Sequence, residues 1–194
     1  LSLLAGFAWF TNASARFGEV ALAGNHVLLQ LVSFSAFVLD GFAFATEAMV
    51  GRALGAGDRG AFDHAVRRNS ELAAVTAGLL ALAIMVAGEL AVDALTRLPL
   101  VRQAASAQLW PAAVYVALSV AAFQLDGVFI GASRTRAMRR AALAALAGFI
   151  GLWWLLAPYG NRGLWWAFVG YVVLRALTLG LGLPALRRSV GRVA

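Results

Sequence analysis

The sequence predicts an all-α integral membrane protein with six transmembrane helices, and its composition and residue pattern support this fold class. Apolar residues make up 62% of the 194 residues and charged residues only 13%, against about 45–50% and about 25% in typical soluble domains. The mean hydropathy is +0.81, and the apolar residues form long runs with most arginines at their ends. So little polar surface cannot cover a soluble globule, which excludes soluble enzymes and nucleic-acid-binding domains as leading interpretations despite the net charge of +7.

A spanning helix needs about 20 mostly apolar residues, and six runs approach that length. The predicted spans are Leu1–Ala15, His26–Val50, Glu71–Ala87, Leu109–Ser133, Ala141–Ala157 and Leu164–Leu183. The intervening segments Gly51–Arg68, Gly88–Ala107 and Pro158–Gly163 carry glycine or proline and are predicted connections. We therefore expect residues 1–194 to form one helical unit. Because the first run lacks a starting Met and a basic flank, we interpret it as a helix cut near its start and the chain as a C-terminal portion.

The arginines predict the orientation, because all 16 basic residues are Arg and they divide unequally when the spans alternate in direction. One side holds Arg52, Arg59, Arg67, Arg68, Arg134, Arg136, Arg139, Arg140, Arg187, Arg188 and Arg192. The other side holds Arg16, Arg97, Arg102 and Arg162. The positive-inside rule places the richer side, with both chain ends, in the cytoplasm. Tryptophans of the last two spans are expected at the outer boundary, where indole rings prefer to lie: Trp153, Trp154, Trp165 and Trp166.

Four charged residues fall inside the predicted spans: Asp40, Glu47, Asp126 and Arg175. Each costs at least about 2.5–3.5 kcal/mol in the bilayer, so each is expected to face a partner or a water-filled cavity. Asp40 and Glu47 are seven residues apart on one helix, which directs both toward the same face.

These charges allow two interpretations. In one, Arg175 forms a static ion pair with an acid. In the other, an acid binds and releases the H⁺ or Na⁺ that drives transport. Three acids against one arginine leave surplus negative charge, which favours the coupling role, with Asp126 first and Asp40 and Glu47 after it. The uncharged Asn12 and Gln124 are expected to support the site as polar groups, since such residues usually form hydrogen bonds between helices.

Enzymatic interpretations have little support in the sequence. There is no Cys, and no serine-hydrolase, zinc-protease or phosphate-loop motif occurs. An intramembrane aspartyl protease would pair Asp40 with Asp126, but such enzymes typically carry Gly-x-Gly-Asp, whereas here each Asp precedes its Gly. We expect no enzyme activity and no cofactor.

Two segments identify a family by their motifs. Residues 37–58, FVLDGFAFATEAMVGRALGAGD, resemble the multidrug and toxic compound extrusion (MATE) family, most closely its DinF-like branch. Residues 123–139, FQLDGVFIGASRTRAMR, resemble that branch's tenth span and the loop after it, and residues 152–156 and 163–165 resemble its last helix pair. The order and spacing of these motifs cover essentially the whole chain.

The resemblance implies a twelve-helix transporter of two six-helix lobes around a central cavity. Such proteins lie in the bacterial inner membrane and export cationic or amphipathic compounds in exchange for H⁺ or Na⁺. This chain would be the second lobe, and the missing N-terminal lobe its partner. Asp126 matches an acid of a Na⁺ site in some members, which also have a Glu in their seventh span. The first span here has Asn12 but no acid, which favours protons.

Three other functions compete with drug export. A lipid-linked precursor flippase of the same architecture predicts a cavity richer in basic residues than this one. An intramembrane protease predicts that Asp40 and Asp126 share a water molecule. A channel predicts conductance without alternating access.

Overall fold

The computed structural model of the protein describes residues 2–191, with side chains from Ala5 onward, and this range is helical without strands. The α-helices are α1 Ser2–Ser14, α2 Glu19–Gly55, α3 Arg59–Leu95, α4 Pro99–Ser106, α5 Leu109–Gly131, α6 Thr135–Leu156, α7 Gly160–Gly180 and α8 Leu183–Ser189. Short 3₁₀ turns, Ala15–Phe17 and Ala157–Tyr159, lead out of α1 and α6.

Six of these helices, α1, α2, α3, α5, α6 and α7, correspond to the six predicted spans. Within the described range, four helical stretches are long and apolar enough to cross a membrane: α2, α3, α5 and the stretch 135–189, which contains both α6 and α7. The all-α membrane fold predicted from composition and hydropathy is confirmed, and the protein is a multi-pass membrane protein.

The predicted connection Gly51–Arg68 is wrong, because α2 and α3 are each 37 residues long and leave only residues 56–58 between them. Hydropathy marks where a helix leaves the apolar layer, not where it ends. The turn itself is made by Gly57, whose positive φ of 65° suits a residue without a side chain. Asp58 then caps α3, accepting a hydrogen bond of 2.8 Å from the Ala61 N–H.

The predicted connection Gly88–Ala107 is likewise mostly helical. It contains the last turns of α3 and the short helix α4, which begins at Pro99. Proline suits a first helical position because the N–H it lacks would have no partner inside the helix.

The arginine-rich connections gather at one end of the bundle, called here the arginine-rich end. Arg187 on α8 donates to Asp63 on α3, with 2.6 Å from Nε to Oδ1. Arg134, between α5 and α6, donates to Ser189 on α8 across 3.4 Å. The α2–α3 turn, the α5–α6 turn and α8 therefore lie together, as the alternation of spans predicts. Arg192, which the sequence assigns to the same side, lies outside the described residues.

A buried polar network joins three helices at the opposite end. The Asn25 amide on α2 donates to Ser14 Oγ at 2.5 Å and to Asn161 Oδ1 at 2.6 Å. Its oxygen accepts from Asn161 at 3.0 Å and from the Trp165 indole at 2.9 Å. Trp165 is fully buried, so its ring packs against protein at this end of the bundle, and its place at the outer membrane boundary stays a prediction. Trp154, in contrast, is exposed.

Aromatic packing fixes α7 against its neighbours. Phe168 on α7 stacks on Tyr115 of α5, with ring centroids 4.3 Å apart. It also lies 4.8 Å from Phe10 of α1 and 5.7 Å from Phe149 of α6. These rings are fully or almost fully buried, so they hold four helices in place. Arg175, two turns further along α7, is thereby positioned at the bundle interior.

Candidate functional site

A cavity of about 630 Å³ lies between α1, α2, α5, α6 and α7. All four charged residues predicted inside the spans line it: Asp40, Glu47, Asp126 and Arg175. Its remaining walls are Ala5, Ala43, Phe44, Gly127, Ile130, Thr135, Met138, Arg139, Ala142, Leu143 and Leu146. The volume is in the range of a pocket for a drug-sized molecule, and most of the lining is apolar.

The α2 wall contributes residues at positions i, i+3, i+4 and i+7, the spacing that places side chains on one helix face. These residues are Asp40, Ala43, Phe44 and Glu47. Asp40 and Glu47 are half-buried, and neither forms an ion pair within the part of the chain whose side chains are described. The seven-residue spacing therefore directs both acids into the cavity.

Asp126 and Arg175 form a buried ion pair across α5 and α7. Arg175 Nη2 lies 2.8 Å from Oδ1 and 2.9 Å from Oδ2 of Asp126, and Nε lies 3.1 Å from Oδ2. The Arg175 side chain is only 4% exposed and the Asp126 side chain 12%. Such a two-pronged contact matches the planar guanidinium to both carboxylate oxygens. The two charges cancel locally, as the ion-pair interpretation predicts, and both residues still face the cavity.

A close helix crossing sets the separation of the α2 and α5 walls. A Cβ atom added to Gly127 would overlap the carbonyl oxygen of Ala43, and one added to Gly131 would overlap that of Glu47. Glycine at these positions lets the two backbones touch. Gly127 directly follows Asp126, so this contact places the buried ion pair beside the acidic face of α2.

The two supporting polar residues have different surroundings. Gln124 is buried, and its side-chain oxygen lies 2.8 Å from the Thr46 hydroxyl, so it joins α5 to α2 beneath the cavity. Asn12 is exposed on α1 and does not line the cavity. Gln124 thus has the helix-joining role expected of a polar residue in a span, whereas Asn12 lies outside the described lining of the cavity.

The residues that the structure describes contain no group of three or more His, Cys, Asp and Glu side chains close enough to share a metal ion. At Asp126, both carboxylate oxygens are already bound by Arg175. A Na⁺ ion at this position would have to displace the guanidinium from at least one oxygen.

Arg139 was not among the predicted site residues, because it lies in a cluster of arginines that the charge count assigns to a cytoplasmic connection. In the structure it is on α6 and lines the cavity. The signal that identifies it is helical phase, since Arg139 lies four residues before Leu143 and seven before Leu146, which share its face. The buried Asn25 was also missed, because single asparagines near span ends have no distinctive pattern.

Comparison with known proteins agrees with this architecture. The MatE family model matches residues 3–154. DNA damage-inducible protein F of Escherichia coli strain K12 is 37% identical over 174 residues, which cover 89% of this chain and 38% of that protein. The chain thus spans well under half the length of this relative. The family model covers all the helices that build the cavity except α7. The similarity to the E. coli protein extends over 89% of this chain. The chain belongs to the MatE family.

Proposed function

We propose that residues 1–194 form the C-terminal lobe of a secondary transporter that exports cationic or amphipathic small molecules in exchange for H⁺, with Na⁺ as the second candidate ion. The observation that carries this proposal is the drug-sized cavity in which Asp40 and Glu47 face the Asp126–Arg175 pair. Family membership supports transport rather than catalysis, so the proposal includes neither an enzymatic reaction nor a cofactor.

The proposed setting is the bacterial inner membrane, with the arginine-rich end in the cytoplasm. The positive-inside rule supports this orientation, since the contacts of Arg187 and Arg134 bring the arginine-bearing connections together at one end. The E. coli relative is much longer than the matched region. We infer that a second lobe closes the open side of the cavity and that alternating access arises from rocking of the two lobes.

The ion pair suggests how a proton releases the substrate. With Asp126 ionised, Arg175 is neutralised and the acids of α2 attract a cation. A proton arriving from outside neutralises Asp126 and removes the negative charge that balances Arg175, so the net charge of the cavity rises by one. Like charges repel strongly in a low-dielectric interior, so the cationic substrate is released outward. Loss of the proton to the cytoplasm restores the ion pair. This shifts the equilibrium between the two states of the transporter back to the one that binds the substrate.

A proton suits this cycle better than Na⁺ does. Protonation cancels the Asp126 charge without needing further ligands, whereas a sodium ion requires several oxygen atoms around it. Both carboxylate oxygens of Asp126 are already bound by Arg175, and the residues that the structure describes hold no group of three or more His, Cys, Asp and Glu side chains close enough to share a metal ion. Sodium therefore remains the second candidate.

Dye export by the full-length protein in proteoliposomes, with H⁺ and Na⁺ gradients imposed separately, tests the proposal. We expect export under the H⁺ gradient and its loss in Asp126→Asn. Because that variant removes the negative charge that balances Arg175, the neutral double variant Asp126→Asn/Arg175→Gln is the matched control for folding, and it should bind dye without responding to the gradient. Wild-type export that continues at the same rate and pH dependence in Asp126→Asn would refute the role of Asp126.

Failure of export under either gradient would favour a lipid-linked precursor flippase and leave Asp126 with a structural role. The cavity provides a check on that alternative, because it is lined by three acids and two arginines. A carrier of anionic lipid precursors is expected to have a more basic cavity.

A further inference from the structure

The last third of the chain carries an unbalanced positive charge. The 68 residues that follow Asp126 contain nine arginines and no Asp or Glu. Two of these arginines pair with acids on earlier helices. Three others stand together at the start of α6: Arg136, Arg139 and Arg140. Among the side chains described from residue 5 to residue 191, no ion pair engages any of these three. Their charge therefore has no counterpart in the described part of the protein.

Two of the three arginines belong to a helix face that points away from the protein. Arg136 and Arg140 are one turn apart, are exposed and lie outside the cavity lining. The exposed residues Ala144, Ala147 and Gly151 continue the same line at spacings of four, three and four residues. We call these five residues the α6 stripe. Because the protein is a membrane protein, exposed positions along a spanning helix face lipid.

The arginines of the α6 stripe lie where the helix enters the apolar layer. The predicted span begins at Ala141, directly after Arg140. With a rise of 1.5 Å per residue, Arg136 lies about 7.5 Å before that point along the helix axis. The headgroup layer on each side of a bilayer is roughly 5–8 Å thick. Both guanidinium groups are therefore at the depth of lipid phosphates, and the rest of the stripe is at the depth of acyl chains.

The stability of the helix does not explain these two arginines. Like charges one turn apart repel each other, and a cation near the start of a helix meets the positive end of the helix dipole. The neighbouring α8, Leu183–Ser189, supplies no acid and adds Arg187 and Arg188. The contact from Arg134 to Ser189 brings that helix close to the start of α6. An anion from outside the chain would relieve this repulsion.

We propose that the α6 stripe binds an anionic phospholipid, with the phosphate held by Arg136 and Arg140 and an acyl chain lying along the small residues that follow. A guanidinium suits a phosphate because it donates two parallel hydrogen bonds. Basic sites on transmembrane helices at the membrane boundary attract anionic headgroups. The proposal requires only the membrane fold, so it is independent of the proposed transport.

Two lipids with the same acyl chains separate headgroup charge from apolar contact. Phosphatidylglycerol is anionic, and phosphatidylcholine has no net charge. Each lipid is titrated into the purified full-length protein in a neutral detergent, and native mass spectrometry measures the affinity of the first bound lipid. The measurement needs neither a substrate nor an ion gradient.

We expect the wild type to bind phosphatidylglycerol more tightly than phosphatidylcholine. The double variant Arg136→Gln/Arg140→Gln should weaken binding of phosphatidylglycerol by about tenfold and leave phosphatidylcholine unchanged. Arg136→Lys/Arg140→Lys keeps both charges and should retain much of the affinity. The matched control is Arg52→Gln/Arg59→Gln, which removes two exposed arginines of α2 and α3 at the same end of the bundle and should change neither lipid.

Equal affinity of the wild type for the two lipids, or equal losses in the two glutamine variants, would overturn the inference. Glycerol phosphate separates a lipid site from a site for free phosphate. It lacks acyl chains and should displace phosphatidylglycerol only in large excess, so displacement at a concentration equal to that of the lipid would contradict a lipid site. None of these failures touches the transport proposal, because Arg136 and Arg140 do not line the cavity.

Discussion

Arg175 on α7 holds both carboxylate oxygens of Asp126 on α5, at 2.8–3.1 Å. The two residues are 49 positions apart in the chain, yet their side chains are almost completely buried together. This pair joins two central helices and also forms part of the cavity wall. A change in the charge of either residue should therefore affect both stability and ligand binding.

Breaking this pair should destabilise the protein more than removing it entirely. Removing one partner of a buried pair leaves an uncompensated charge, typically at a cost of about 3–5 kcal/mol, whereas replacing both partners is often far less costly. We expect Asp126→Asn and Arg175→Gln each to lower the free energy of unfolding in detergent more than the double variant does. Asp40→Asn, which removes an unpaired acid, is the control and should cost little. A double variant at least as unstable as the sum of the single variants would contradict this account.

Leu-Asp-Gly occurs twice in the sequence, at residues 39–41 and 125–127, and the glycines of the two triplets should respond differently to the same substitution. Gly127 lies against the Ala43 carbonyl, whereas Gly41 has open space where a Cβ would be. Gly127→Ala should force α2 and α5 apart at a cost of about 1–3 kcal/mol, the usual range for overpacking. Gly41→Ala should be neutral or slightly stabilising, because alanine favours helix. Thermal unfolding of the two variants in detergent compares them directly, and equal effects would disprove the close crossing.

The polar network around Asn25 should contribute to stability at the end opposite the arginines. Asn25→Ala removes the partner of the buried Trp165 indole and of Asn161. Leaving a buried polar group unsatisfied costs about 1–3 kcal/mol, and we expect a loss in that range in chemical unfolding. Asn12→Ala changes the same residue type at an exposed position and should have almost no effect. If the two variants are equally stable, the network does not hold these helices together.

The contact between α3 and α8 should give stability a dependence on acid pH. The hydrogen bond from Arg187 holds the pKa of the Asp63 carboxyl below its ordinary value of 3.8. A carboxyl whose pKa falls on folding stabilises the folded state above its unfolded pKa, and this contribution is lost as the pH falls through the lower folded pKa. The effect is small because both side chains are solvent-accessible.

The measurement for this contact is the melting temperature of the wild type and Arg187→Gln in detergent between pH 7 and pH 3, in steps of about half a unit around the ordinary carboxyl pKa. We expect a slightly lower melting temperature for the variant at neutral pH and a difference that closes in the acid range. Arg188→Gln is the control, since Arg188 donates to the Pro184 carbonyl and has no ion pair among the residues whose side chains are described. A difference that stays constant over the whole range would show that Asp63 is not the partner.

Helical periodicity was sufficient to predict which face of α2 carries the site. The spacing of Asp40 and Glu47 allows one face only, and the high cost of a charge in the bilayer predicts that this face meets a partner or a water-filled cavity. The pairing of Asp126 with Arg175 was one of two open interpretations. A sequence does not fix which of three acids a distant arginine reaches, because that depends on how α5 and α7 pack.

Other features depend on tertiary packing that leaves no local pattern. The basic neighbours of Arg139 predict a surface position, and the residue is exposed, but only the orientation of α6 places it at the edge of the cavity. The identical triplets around Gly41 and Gly127 differ in burial. Gly127 on α5 packs against α2, whereas Gly41 on α2 meets open space. Helix ends were misplaced at residues 51–68 because hydropathy reports on the apolar layer, whereas capping by Asp58 decides where α3 begins.

The most direct test of the central claim is proton release when a cationic dye binds to the full-length protein. The account predicts that rhodamine 123, added in weakly buffered, sodium-free detergent solutions of decreasing pH, displaces protons from the wild type once the pH is low enough to protonate Asp126 in the dye-free protein. It also predicts that the Asp126→Asn/Arg175→Gln variant binds the dye without releasing them. Proton release of equal size in that double variant, or dye binding to the wild type with no proton release at any pH in the series, would contradict the role of the Asp126–Arg175 pair as the coupling site.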